Sequence, residues 1–140
     1  MTYKFLPDVA LADIAFEAES DTVDGLFESC TKALMDIMVD PKTLRGTVTK
    51  KVTLKSDDID RLLYDFLTEL IVMKDVESLL FSDVRVDVKG SGTELASVLE
   101  GEPIDRVRHT LRNDVKAVTM HMFGIRQEGP KWKATVVLDI

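Results

Sequence analysis

From Leu11 to Ala18 the chain alternates. Ala12, Ile14, Phe16 and Ala18 fall on one side, and Leu11, Asp13, Ala15 and Glu17 on the other. That pattern predicts a strand with one buried face. Asp21 or Thr22 is placed to cap a helix after it. Val23, Leu26, Phe27, Cys30, Ala33, Leu34, Ile37 and Met38 then recur at helical spacing, a stripe that faces a core. Asp40-Pro41 ends it, because a residue before proline is pushed out of the helical region.

A second strand is predicted over Thr47–Lys55, where Val48, Val52 and Leu54 alternate with Thr and Lys. Ser56 is read as the cap of a second helix, with Asp57, Asp58 and Asp60 in its dipole-favoured first turn. Ile59, Leu62, Leu63, Phe66, Leu67, Leu70 and Ile71 supply its apolar face. The remainder reads as strands. Phe81–Val88 and Glu94–Glu100 make a hairpin through Lys89-Gly90-Ser91-Gly92. Asp114–Phe123 and Lys131–Ile140 make a last pair, joined through Gly124 and Gln127-Glu128-Gly129-Pro130. The order β, α, β, α, then strands predicts an α+β fold: an antiparallel or mixed sheet with two helices packed on one side. No repeat or Pro/Gly/Ser linker divides residues 1–140, so one domain is expected.

Composition narrows the chemistry. With 45% hydrophobic and 31% charged residues and a mean hydropathy of +0.02, the chain has the makings of a core and is not disordered. Cys30 is its single cysteine, which excludes an intrachain disulfide or a CxxC site. No apolar run is long enough for a membrane helix, and Met1–Asp13 lacks the basic-then-apolar plan of a signal peptide. The expectation is a reduced, intracellular, cytoplasmic protein with no membrane partner. There is no GxGxxG, P-loop or GxSxG motif. His109 and His121 do not have zinc-pair spacing. Cys30 lies on the apolar stripe and reads as a small hydrophobe, and Met73, Met120 and Met122 as core or partly buried fillers.

The net charge of −7 argues against nucleic-acid wrapping. It is unevenly spread. Residues 1–40 hold two bases against nine acids, and residues 106–140 seven bases against three acids. Facing acidic and basic strands would explain this, as would a basic docking surface. Arg106, Arg108, His109 and Arg112 read as a solvated basic face.

Two carboxylates stand out. Asp13 interrupts an apolar strand start and Asp139 an apolar strand end, although Asp is depleted in strands. If the strands are neighbours, Asp13, Asp139 and the terminal carboxylate of Ile140 converge. Three anionic oxygens without His or Cys suit a hard cation, Ca2+ or Mg2+. Solvated strand ends account for the same residues, and both readings stand at this point. Lys116, between Val115 and Ala117, is placed to contact an anion or balance these carboxylates.

At these residues the sequence resembles the archease family over essentially its whole length. Ala12-Asp13-Ile14 is similar to the end of that family's His-Thr-Ala-Asp-Ile motif. Gly101-Glu102, His109 and Lys116-Ala117-Val118-Thr119-Met120-His121 resemble its Gly-Glu, His and Lys-Ala-hydrophobic-Thr-aromatic-His block. Ser56 to Leu70 resembles its acidic-then-leucine-rich helix, and Val137-Leu138-Asp139-Ile140 its Leu-Asp-Ile ending. The motif His and Thr fall on Ala10 and Leu11, and the motif aromatic on Met120. The resemblance implies an accessory protein, not an enzyme, that activates an RtcB-class RNA ligase in tRNA splicing, with tRNA halves as indirect partners. It implies promotion of ligase guanylylation and multiple turnover. It implies a Ca2+ (or Mg2+) site at Asp13 and Asp139 with Ile140, and an activating role for Lys116. Competing readings are an interaction or chaperone-like module without a metal role, a small metal-dependent phosphoesterase, and direct RNA binding through residues 106–133.

Overall fold

The structure, a computed structural model, describes residues 2–6 and 13–140. Its elements are β1 (Thr2–Leu6), β2 (Asp13–Ser20), α1 (Val23–Met38), β3 (Val48–Lys55), α2 (Ile59–Glu77), β4 (Leu79–Lys89), β5 (Glu94–Pro103), β6 (Ala117–Val118), β7 (Gly124–Glu128) and β8 (Lys131–Asp139). The fold is α+β and every strand pairing is antiparallel. The strands divide between two sheets: β1-β2-β8-β6 with β7 also on β8, and β3-β5-β4. Each helix touches strands of both sheets. One apolar cluster therefore draws Phe16 and Val136 from the first sheet, Val86 and Leu99 from the second, Phe27 and Leu34 from α1, and Phe66 and Leu70 from α2. No helix among the described residues is long and apolar enough to cross a membrane.

Local chemistry sets the boundaries. The Thr22 hydroxyl accepts the Gly25 N–H at 3.0 Å and caps α1, a contact worth about 1 kcal/mol. α2 is capped by Asp58, which accepts the Arg61 N–H at 2.8 Å, rather than by Ser56. The Ser56 hydroxyl instead donates to Asp65 at 2.7 Å. The expected strand over Asp114–Phe123 is only two residues long, and Gly124–Glu128, expected as connection, is strand. The segment between Glu102 and Ala117 bonds elsewhere, as described below. β1 was not anticipated. It pairs with β2 in the register Tyr3↔Ala18, and the Tyr3 hydroxyl donates to Asp36 at 2.7 Å. Burial and that bond push the phenol up to about 12. Cys30 and Met73 are buried as expected, whereas Met120 and Met122 are exposed.

α1 lies along the outer edge of β4. Asp24, Glu28 and Met35 share one helical face. They accept the N–H groups of Val88 at 2.8 Å, Val86 at 2.9 Å and Phe81 at 3.5 Å.

Candidate metal centre

In the β2–β8 register Asp13 stands directly opposite Asp139. Directly opposed residues project from the same face of a sheet, with Cβ atoms about 5 Å apart. Ile14, Phe16, Val136 and Leu138 take the opposite face, toward the core, so alternation puts both aspartates on the other face, half-buried next to the buried Ala15–Val137 pair. Among the described residues neither carboxylate has an ion-pair partner within 4.0 Å. Two unneutralised like charges across a strand pair destabilise it, so the arrangement favours a cation. The donors are hard oxygens, which fit Ca2+ or Mg2+. No group of three or more His, Cys, Asp or Glu that could hold a metal occurs among the described residues. The pair therefore resembles sites in which one or two carboxylates share a cation with water or phosphate oxygens. Ile140 follows Asp139 and packs against the core. Ala10 and Leu11 lie outside the described residues.

Lys116 is brought to the same place by its backbone. Its N–H donates to the Asp139 carbonyl at 2.8 Å, and Thr119 N–H donates to Val137 at 2.9 Å. Its side chain is exposed. Asp13, Asp139, Ile140 and Lys116 thus meet at one end of the first sheet.

The segment leading to Lys116 is fastened at each step. Asp40 N–H donates to Thr110 at 2.8 Å, and Arg112 and Asn113 N–H groups donate to the last α1 carbonyls, those of Met38 and Ile37. Lys74, in the last turns of α2, donates to Asp114 at 2.5 Å, to the Val115 carbonyl at 2.6 Å and to Asp75 at 2.9 Å. Burial would lower its pKa, but its bonds to Asp114 and Asp75 outweigh that and raise it.

Behind this segment sits a buried clasp. Gly101 lets β5 pass close to β4: a Cβ there would meet the Leu80 carbonyl oxygen at 2.0 Å. The next residue, Glu102, is 4% exposed. Its carboxylate accepts from Arg108 at both oxygens, from His109 Nε2 at 2.6 Å and from the Arg45 N–H at 2.7 Å. The Asp105 N–H reaches His109 Nδ1 at 2.9 Å, which leaves the ring hydrogen on Nε2 to face Glu102. Chiefly through the Arg108 guanidinium, and against the effect of burial, the carboxyl is held down at about 2.

The basic C-terminal quarter of the chain is largely engaged, which corrects the reading of Arg106–Arg112 as a solvated face. Only Arg106 fits it. Arg108 and His109 hold Glu102, and Arg112 pairs with Asp36 at 2.5 Å. Arg126 reaches Glu17 at 2.9 Å and Lys131 reaches Asp21 at 2.6 Å. The acidic and basic strands do face each other. Residue patterning missed Lys74 entirely. Its signal was present, since position 74 continues the Leu67, Leu70, Ile71 stripe at helical spacing.

The model of the archease protein family matches residues 3–140. The chain is 37% identical to the archease of Methanothermobacter thermautotrophicus over 131 residues, 92% of this chain and 93% of that protein. It is 32% identical to that of Methanosarcina barkeri, over 99% of this chain and 95% of that one. Among solved structures, protein 1598 of Methanobacterium thermoautotrophicum is similar at a TM-score of 0.81 and 33% identity. That match covers 99% of this chain and 98% of the other. A Thermotoga maritima archease, described as a possible chaperone, shares the fold at a TM-score of 0.67 and 19% identity, with 96% of each chain covered.

Proposed function

The chain belongs to the archease family, and from that membership we propose that it is a non-enzymatic activator of an RtcB-class RNA ligase in tRNA splicing. It promotes ligase guanylylation and multiple turnover. The observation that carries the reading is the Asp13–Asp139 pair beside Lys116. Asp13 and Asp139, with an oxygen of the adjoining Ile140, hold a divalent cation, Ca2+ or Mg2+. Such a cation supplies positive charge where phosphate oxygens gather, and nucleotidyl transfer depends on positioning and charge neutralisation. Lys116 adds a fixed charge beside it, and its exposed side chain presents the site to the ligase. The engagement of most C-terminal bases with the chain's own acids favours a protein partner over RNA as the direct contact. The place of action is cytoplasmic in this reading.

The test is ligation with limiting ligase, excess RNA halves, GTP and Mn2+. The native chain is expected to lift product well beyond one equivalent per ligase, and Asp139→Asn to abolish that gain. Equal activation by both proteins would keep the partner and refute the metal role. No activation by the native chain would refute the reading.

A further inference from the structure

Lys74 is only 6% exposed, although it belongs to the residue type least often fully buried. A buried ammonium is expensive to desolvate, and an apolar residue of similar size at such a position often leaves stability unchanged or higher. Stability therefore does not account for a lysine there. Its bonds do suggest a role. Of its three acceptors, Asp75 is the neighbouring residue and Asp114 is largely exposed. The third, the Val115 carbonyl at 2.6 Å, is half of one peptide unit whose other half is the Lys116 N–H. That N–H donates to the Asp139 carbonyl at 2.8 Å.

A trans peptide is planar, and its C=O and N–H point in opposite directions. Fixing the oxygen therefore aims the N–H. Lys74 and Asp139 stand on opposite sides of the Val115–Lys116 peptide, and a charged donor at one end polarises the bond at the other. Strand pairing does not supply this. β6 is two residues long, and its register, Ala117↔Asp139 and Val118↔Leu138, would set Lys116 against Ile140. Lys116 N–H leaves that register to reach Asp139. Something outside the ladder aims it, and the donor seated on the peptide is Lys74.

The geometry points to Lys74 as the positioning residue of the carboxylate site: through the Val115–Lys116 peptide it sets the backbone of both Lys116 and Asp139. Its Ca2+ consequence rests on the metal reading above; its effect on the peptide does not.

The experiment uses the full chain, with Ca2+ alone as the probe. Lys74→Met keeps the aliphatic stem and removes the donors, and Lys74→Arg keeps a charged donor. Amide hydrogen exchange is followed without metal at Lys116 and at Leu70, and Ca2+ affinity is measured by calorimetry. In Lys74→Met the Lys116 amide is expected to exchange at least tenfold faster while Leu70 keeps its native rate. Ca2+ affinity is expected to fall at least tenfold, and Lys74→Arg to recover part of both losses. An unchanged Lys116 rate overturns the proposal, as does acceleration of Lys116 and Leu70 together, which marks a merely structural role. If the native chain takes up no Ca2+, the metal reading alone fails and the exchange ratio still decides Lys74. If Lys74→Met does not fold, the same ratio is read in Lys74→Gln, whose donor stops one bond short.

Discussion

Replacing Glu102 with glutamine keeps the shape of the side chain and removes its charge. The native carboxylate accepts from Arg45, Arg108 and His109. Glutamine retains one carbonyl oxygen and turns an N–H2 toward donors that need an acceptor. Hydrogen bonds to a charged group contribute about 1.5–3 kcal/mol each, but Arg108 is partly exposed and recovers water when released, which reduces the loss. A net cost of about 2–3 kcal/mol follows. A chain of 140 residues has an unfolding entropy of roughly 0.3 kcal/mol per degree. Tm near neutral pH should therefore fall by about 7–10 °C. The gap should also depend on pH. The folded carboxyl sits at about 2, below its ordinary 4.5. A depressed folded value contributes stability that is complete above the unfolded value and lost as pH falls through the folded one. The gap between native protein and Glu102→Gln should therefore be full near neutrality and more than half gone by about pH 3. Far-UV circular dichroism melts of both proteins across that range measure it. An equal gap at both ends of the range would refute the charged clasp, and a drop of under about 2 °C near neutrality would refute its weight.

Two further outcomes follow from the same geometry. Asp139→Asn, which removes one of two opposed charges, should raise the Tm of the metal-free protein slightly, by the equivalent of about 0.2–1 kcal/mol, while abolishing Ca2+ uptake in calorimetry; a lower metal-free Tm would contradict the unneutralised pair. Gly101→Ala should destabilise the chain by more than about 3 kcal/mol in denaturant titration, because its Cβ would collide with the Leu80 carbonyl oxygen and backbone cannot swing aside as a side chain can; a loss under about 1 kcal/mol would show that β4 and β5 can separate there.

Periodicity made both helices legible, because their apolar stripes are long and each starts at a hydrogen-bonding cap. The second cap was misplaced by two residues. Ser56 and Asp58 are both good caps, and the choice depended on Ser56 bonding Asp65, a contact no local pattern encodes. The β4–β5 hairpin was legible from alternation around a glycine turn. Residues 105–116 were not, since their backbone bonds go to the end of α1 and to Lys74, partners far off in sequence. The division into two sheets was equally hidden, because alternation reports a buried face and not the layer that buries it. At the site, Asp13 and Asp139 stood out as acids in apolar strands, and the family resemblance gave them a meaning. Their opposition depends on a register that no single strand reveals. The clasp went unread because Arg108 and His109 look solvated until Glu102 is placed beneath them.

The carboxylates and thioether that α1 lends to β4 also bear on how copies of this chain can associate. A sheet grows into a fibre only if both of its outer strands accept a newcomer. In the three-stranded sheet, β4 has the donors of Phe81, Val86 and Val88 occupied and a helix lying across its flank, while β3 carries Lys50, Lys51 and Lys55, charges that discourage pairing. Through this sheet the chain can add at most one neighbour, at β3, and that neighbour meets the next copy at another blocked strand. Stacking along this axis ends after a single step.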